Sequence, residues 1–187
     1  MEKAFDEKIK KTRREVIASQ KHQKQVIGRY GKSFHPDNIG KLSKEEFLSF
    51  LVYKNNKHWK SINRWGTRVA KDMVQLRKAL YMLLNEEQGI KNRLDALVFE
   101  GRSNYVKGLS RAVLTPILMM VSPTKYGVYN KRSEAGLKKI GVHPNFGKNV
   151  SFGEKYAIIN KILLGLGKKY NVSLWELDTI LGKIGFE

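Results

Sequence analysis

The stretch VAKDMVQLRKALYML, residues 69–83, decides the fold class of this chain. Its apolar side chains are spaced 4, 3, 4 and 3 residues apart, at Val69, Met73, Leu76, Leu80 and Leu83. That spacing places them on one face of an α-helix and predicts a helix of about 17 residues. We expect this helix to turn its apolar face into the core and to act as the central strut of a helical domain.

Helix start signals surround this stretch. The capping-box pattern Ser-x-x-Glu, in which each side chain bonds the backbone of the other residue, occurs at Ser43/Glu46, Ser151/Glu154 and Ser173/Glu176. Apolar periodicity together with Gly and Pro positions predicts further helices over residues 1–30, 90–99, 109–121, 131–140, 152–169 and 174–184. Strand signals are confined to short pieces such as residues 126–129, which cannot build a sheet. The sequence therefore predicts an all-α, multi-helix array.

The first 40 residues differ in composition from the rest. Residues 1–32 carry ten Lys or Arg residues against four acidic residues, a net charge of +6, and their apolar stripe is thin. A turn-rich segment, residues 31–40, follows. We predict a basic helical arm and turn over residues 1–40 and a helical domain over residues 41–187.

The whole chain is strongly basic. It has 36 Lys and Arg residues and 17 Asp and Glu residues, a formal net charge of +19. Such a charge repels itself and attracts polyanions, so a phosphate backbone is the partner that best explains it. The alternative is a general preference for Lys on solvated faces.

Several chemistries are excluded or disfavoured by composition. The chain has no cysteine, which excludes disulfides, thiolate zinc sites and cysteine nucleophiles. The four histidines, at positions 22, 35, 58 and 143, follow no metal-ligand spacing. No apolar run approaches the length of a membrane span, and residues 1–6 do not resemble a signal peptide. We expect a cytoplasmic protein without membrane association, metal or cofactor.

Two segments favour phosphate binding. Residues 107–110 can turn tightly into a helix whose amide groups and positive dipole end would hold a phosphate, and residues 125–132 form a second basic cluster before another helix start. The predicted phosphate ligands are Lys107, Gly108, Ser110 and Arg111 at the first site, and Lys125, Lys131 and Arg132 at the second. Ordinary helix capping with solvated cations is the alternative at each site.

Aromatic side chains among basic residues suit stacking on unpaired bases. The predicted base contacts are His58, Trp59, Tyr126, Tyr129 and Asn130. Trp59 permits a second interpretation, in which it anchors its loop to the core. Trp65 is open to the same two interpretations, and Trp175 lies in an apolar helix turn that indicates a core position.

Residues 107–141 resemble the core of helix-hairpin-helix DNA glycosylases, in the order of a tight turn, an apolar helix with Pro116, the segment YGVYN and a helix ending at Gly141. The resemblance implies that the turn grips the DNA backbone and that an Asp before the last helix serves catalysis. Here Ser110 replaces the second glycine of the turn, and Asn130 stands where that Asp would be. An amide cannot act as a general base or stabilise an oxocarbenium ion, so we expect no glycosylase activity.

A closer resemblance covers about residues 43–185. Its motifs, in order, are EFLSFL (46–51), NKHW (56–59), DM (72–73), LRKAL (76–80), RL (93–94), VKGLSRA (106–112), TPIL (115–118), KYGVYN (125–130), SEAGL (133–137) and LWELD (174–178). They are similar to a helical domain found N-terminal to McrB-type AAA+ restriction proteins and in related defence proteins. The resemblance implies a module that reads DNA, often at a modified base, while an AAA+ motor and a nuclease act beside it.

This chain carries neither a Walker A sequence nor a paired-carboxylate nuclease motif, so motor and nuclease must lie elsewhere. We therefore predict a non-enzymatic target-recognition module of a restriction or defence system. It would bind duplex DNA, and a modified or flipped base is one target that it could read. The alternatives are a basic domain that docks an acidic protein partner, and a catalytically inactive glycosylase-like protein.

Overall fold

The computed structural model describes residues 2–186, which form an all-α array without a strand among them. This confirms the predicted fold class. Within the first helix the described side chains are Asp6, Glu7, Ile9, Lys11 and those from Ser19 onward. Five of the ten predicted cations of the arm, Lys3, Lys8, Lys10, Arg13 and Arg14, therefore lie outside the described residues. The α-helices of the described chain are α1 (Glu2–Tyr30), α2 (Lys44–Leu51), α3 (Tyr53–Asn56), α4 (Gly66–Val69), α5 (Met73–Leu84), α6 (Ile90–Val98), α7 (Arg111–Val121), α8 (Lys131–Lys139), α9 (Phe152–Tyr170) and α10 (Leu174–Phe186). Two short 3₁₀ helices, Pro36–Lys41 and Ile62–Trp65, connect them.

The three predicted capping boxes open α2, α9 and α10. Ser43 Oγ accepts a hydrogen bond from the Glu46 amide at 3.0 Å, and the Glu46 carboxylate accepts one from the Ser43 amide at 3.1 Å. The same reciprocal pair forms at the start of α9 and at the start of α10. These local signals fix where the helices begin because they satisfy amides that have no partner inside the helix.

The central strut is shorter than its periodicity predicts. α5 begins at Met73 because Asp72 accepts a hydrogen bond from the Gln75 amide at 2.9 Å and so acts as an N-cap. Val69 ends α4 instead, although it remains buried in the same core. The apolar face was therefore predicted correctly, whereas the start of the helix was not.

The N-terminal segment is packed into the domain rather than attached to it. Val26, Tyr30 and Phe34 are fully buried in the same core as α2. The Tyr30 hydroxyl shares a hydrogen bond with Ser49 Oγ at 2.8 Å, and Gln20 donates one to the Glu176 carboxylate on α10 at 2.6 Å. The structure thus shows no boundary at residue 40, because the apolar side chains from Val26 onward complete the core.

The packing of α8 against α10 depends on glycine. A Cβ at Gly136 on α8 would overlap the Leu181 carbonyl oxygen on α10, and a Cβ at Gly185 would lie 2.6 Å from the Arg132 carbonyl oxygen. The two helix backbones are therefore in direct contact, which only residues without a side chain allow at these positions. This contact fixes the N-terminus of α8 beside the C-terminal half of α10.

Gly136→Ala should lower the free energy of unfolding by about 2–3 kcal/mol, because the backbone of α10 must move to admit a methyl group. Gly165→Ala on α9 is the matched control, since nothing lies within 4 Å of a Cβ at that position. It should raise the free energy of unfolding by about 0.5–1 kcal/mol, the usual gain for alanine over glycine in a helix. Urea denaturation measures both, and equal effects of the two substitutions would contradict the close helix contact.

Candidate nucleic-acid interface

A groove of about 1030 Å³ opens where α8 and α10 meet the start of α7 and the segment 57–65. α8 contributes its first residues, α7 contributes Ser110 and Arg111, and α10 contributes one wall from Asp178 to Phe186. These segments are distant in sequence, and the glycine contact between α8 and α10 holds two of them in place. The groove is therefore a feature of the tertiary fold.

The groove is strongly basic. Among the described residues that line it, seven are cationic and one is a carboxylate, Asp178. The cations are Lys57, Lys60, Arg64, Arg111, Lys131, Arg132 and Lys183. Such an excess of one charge in a concave surface attracts polyanions and concentrates them there.

Asp178 serves the structure of the groove floor. Its Oδ2 accepts a hydrogen bond from His58 Nε2 at 2.9 Å and another from Trp59 Nε1 at 3.1 Å. His58 also stacks on Trp175, with ring centroids 4.4 Å apart. The carboxylate thus fixes the 57–60 segment to α10.

Trp59, a predicted base contact, lies at the floor of the groove and is only 4% exposed. Its ring contacts those of Phe50 and Trp175, with centroids 5.9 Å and 4.9 Å away. The alternative interpretation, that Trp59 anchors its loop to the core, is confirmed. His58 lines the groove, where its ring lies against Trp175 and its Nε2 is hydrogen-bonded to Asp178.

Tyr126 and Tyr129, two further predicted base contacts, are both buried in the core. The Tyr126 hydroxyl accepts a hydrogen bond from buried Arg93 at 2.6 Å and donates one to Glu86 at 2.9 Å. Tyr129 shares a hydrogen bond with His143 at 3.1 Å, and burial raises the pKa of its hydroxyl. Both tyrosines satisfy core polar groups, and neither lines the groove.

Lys125 lies outside the groove as well. Its ammonium group donates a hydrogen bond to Glu86 at 2.6 Å on an exposed surface. That bond lowers the pKa of the Glu86 carboxyl below its usual value, so the pair is charged at neutral pH. Of the three residues predicted for the second phosphate site, only Lys131 and Arg132 line the groove.

The first predicted phosphate site is divided by the fold. Gly108 adopts a φ of 95°, which favours glycine, and a Cβ there would lie 3.2 Å from Trp65 Cβ. Gly108 therefore provides close packing beneath Trp65 rather than a backbone contact in the groove. Lys107 is exposed but does not line the groove, whereas Ser110 and Arg111 do.

Arg111 is already paired. Its guanidinium donates a hydrogen bond to Glu134 at 2.6 Å and lies 4.8 Å from the centre of the Tyr129 ring. Burial acts to raise the pKa of the Glu134 carboxyl, but hydrogen bonds from Lys138 and Arg111 outweigh it and lower that pKa below its usual value. Arg111 thus contributes charge to the groove from a fixed position.

Asn130, also a predicted base contact, lines the groove and caps α8. Its side-chain oxygen accepts hydrogen bonds from the amides of Arg132 at 2.8 Å and Ser133 at 3.1 Å. This leaves Lys131 and Arg132, the first residues of α8, exposed at the groove. The two predicted phosphate segments, about 20 residues apart in sequence, therefore reach one groove through Ser110 and Arg111 on one side and Lys131 and Arg132 on the other.

Three aromatic residues of the groove are exposed, of which the sequence analysis named only Trp65, as either a stacking or a core residue. Tyr53, Trp65 and Phe186 are 46%, 47% and 70% exposed. Each ring has a cation beside it, at 5.2 Å from Lys60, 4.9 Å from Arg68 and 4.5 Å from Arg132, respectively. The basic residues next to Trp65 in the sequence favour an exposed position for it. Trp59 has similar neighbours and is nevertheless buried, so these neighbours do not distinguish the two.

Comparison of this chain with protein-family models, with curated proteins and with solved structures finds no match. No group of three or more potential metal ligands occurs among the described side chains. Within residues 2–186, no helix has both the length and the apolar character needed to cross a bilayer.

Asp178→Ala should lower the free energy of unfolding by about 1–3 kcal/mol, because it leaves the buried donors of His58 and Trp59 without an acceptor. Asp178→Asn should cost less, since the amide oxygen still accepts a hydrogen bond. Asp37→Ala removes an exposed carboxylate and is the control. Thermal melts followed by near-ultraviolet circular dichroism report both unfolding and the environment of Trp59. If Asp178→Ala behaves like the control, the carboxylate does not hold the groove floor.

Proposed function

We propose that this protein binds nucleic acid, and duplex DNA in particular, through the basic groove. The observation that carries the proposal is the convergence of Arg111, Lys131 and Arg132 with the cationic 57–64 segment around one concave surface. The only carboxylate among the described lining residues is occupied by two hydrogen bonds. A phosphate backbone supplies the evenly spaced negative charges that such a surface binds.

The cations differ in how they can serve this binding. Arg64 and Lys131 are exposed at the rim and can each meet a phosphate as the backbone passes. Arg111 is held by Glu134 and acts through its fixed charge. Because phosphate contacts carry no sequence information, they give the domain register and affinity rather than specificity.

A narrower proposal follows from the resemblance to the domains of McrB-type restriction proteins. In it, the groove recognises DNA for an AAA+ motor and a nuclease that lie outside residues 1–187, on other chains or on a further part of the same polypeptide, and these residues carry no enzymatic activity. The alternative from the sequence, a domain that docks an acidic protein partner, uses the same cations. Binding to DNA of unrelated sequences with a steep dependence on salt favours the nucleic-acid function over that alternative.

The double variant Arg64→Ala/Lys131→Ala should weaken binding to every duplex equally. It should also reduce the magnitude of the slope of log K against log salt by about 2, because each lost phosphate contact removes about 0.9 from that magnitude. Lys78→Ala/Lys161→Ala removes the same charge from exposed positions outside the groove and is the matched control. Fluorescence anisotropy titrations over a range of salt concentrations measure both. A wild-type protein that does not bind duplex DNA, or two double variants with the same slope, would refute the groove as the interface.

Incubation with this protein should leave DNA chemically intact. The position that would carry a catalytic Asp in a glycosylase is Asn130, and its amide oxygen is engaged by two backbone amides of α8. Denaturing gels, with and without alkali treatment, detect nicks and abasic sites. Strand breaks that disappear in Asn130→Ala would show that the protein is an enzyme after all.

A further inference from the structure

Trp65 is unlike the other tryptophans of this chain. Trp59 and Trp65 both line the basic groove, but Trp59 is only 4% exposed, whereas Trp65 is 47% exposed. Trp175 is 0% exposed. Its Cβ packs against Gly108, whose φ of 95° brings the backbone close. The base of the side chain is therefore fixed, while much of the indole ring faces solvent.

The surroundings of Trp65 suit a flat ligand that carries negative charge. The Arg68 guanidinium lies 4.9 Å from the centre of the indole ring, and Arg64 lines the same groove. An unpaired nucleobase offers a flat π face, and the phosphates on either side of it meet such cations. Bases inside a duplex offer no free face, because their neighbours cover both sides. Tyr53 and Phe186 place two more aromatic rings with adjacent cations in this groove.

We propose that the groove binds DNA at a position with an unpaired base, which stacks on Trp65. This inference rests on the proposed function, since the groove must first hold the backbone. It assigns Trp65 the stacking role for which the buried rings of Trp59, Tyr126 and Tyr129 are unsuited. The ligand is thus a junction between duplex and single strand rather than a continuous duplex.

Three DNAs test this inference with the full chain. They are a blunt duplex, the same duplex with a single-stranded thymidine tail, and the same duplex with a tail of abasic residues that keeps every phosphate. The thymidine tail should increase affinity roughly 5- to 100-fold over the abasic tail, the range expected for stacking of one base on an aromatic side chain. It should also quench the tryptophan fluorescence, which the abasic tail should not.

Trp65→Ala should bring the ratio of affinities for the thymidine and abasic tails close to 1 and abolish the quenching. Tyr81→Ala removes an aromatic side chain that is 54% exposed on α5, outside the groove, and should retain both. Equal affinities of the wild-type protein for the two tails overturn the inference but leave the proposed function standing. A preference for the thymidine tail that persists in Trp65→Ala also overturns the inference, because another residue would then stack on the base, and it also leaves the proposed function standing. Failure to bind any of the three DNAs overturns the proposed function, and the inference with it.

Discussion

The backbone contact between α8 and α10 is the constraint on which the rest of the structure depends. Gly136 and Gly185 let the two helices approach until carbonyl oxygens lie where side chains would otherwise be. Because of this approach, the Asn130 cap and the two cations after it stand beside the wall formed by α10. Any side chain at the contact would separate the helices and widen the groove. The charge of the groove comes from lysine and arginine, but its shape comes from residues that have no side chain.

The helix starts could be predicted from the sequence because capping is local. Ser43, Ser151 and Ser173 each bond an amide three residues away, so the pattern and the structure agree. The start of α5 was missed because the apolar spacing continues through Val69, while the cap that decides it comes from Asp72. Apolar periodicity identifies the buried face of a helix, and the N-cap residue identifies where the helix begins.

The candidate site was harder to predict because long-range contacts decide which aromatic residues are exposed. Trp59 and Trp65 lie six residues apart among similar basic neighbours. Asp178, more than a hundred residues later, accepts a hydrogen bond from the Trp59 indole and holds it in the core. The sequence around Trp59 contains no pattern that predicts this contact. In the same way, Tyr126 is buried by its hydrogen bonds with Arg93 and Glu86. The basic segments were easier to place, since exposed charge is the default for lysine and arginine.

The contribution of α10 to the groove has a consequence for biosynthesis. The floor depends on bonds between Asp178 and the 57–60 segment, so these contacts span a long stretch of chain. Contacts of high sequence separation form late in folding, since a large loop must close before they can stabilise anything. Until α10 has been synthesised, the lysines and arginines of the preceding segments are present but the groove is not. The cations are thus gathered into one binding surface only after α10 has been synthesised and has docked.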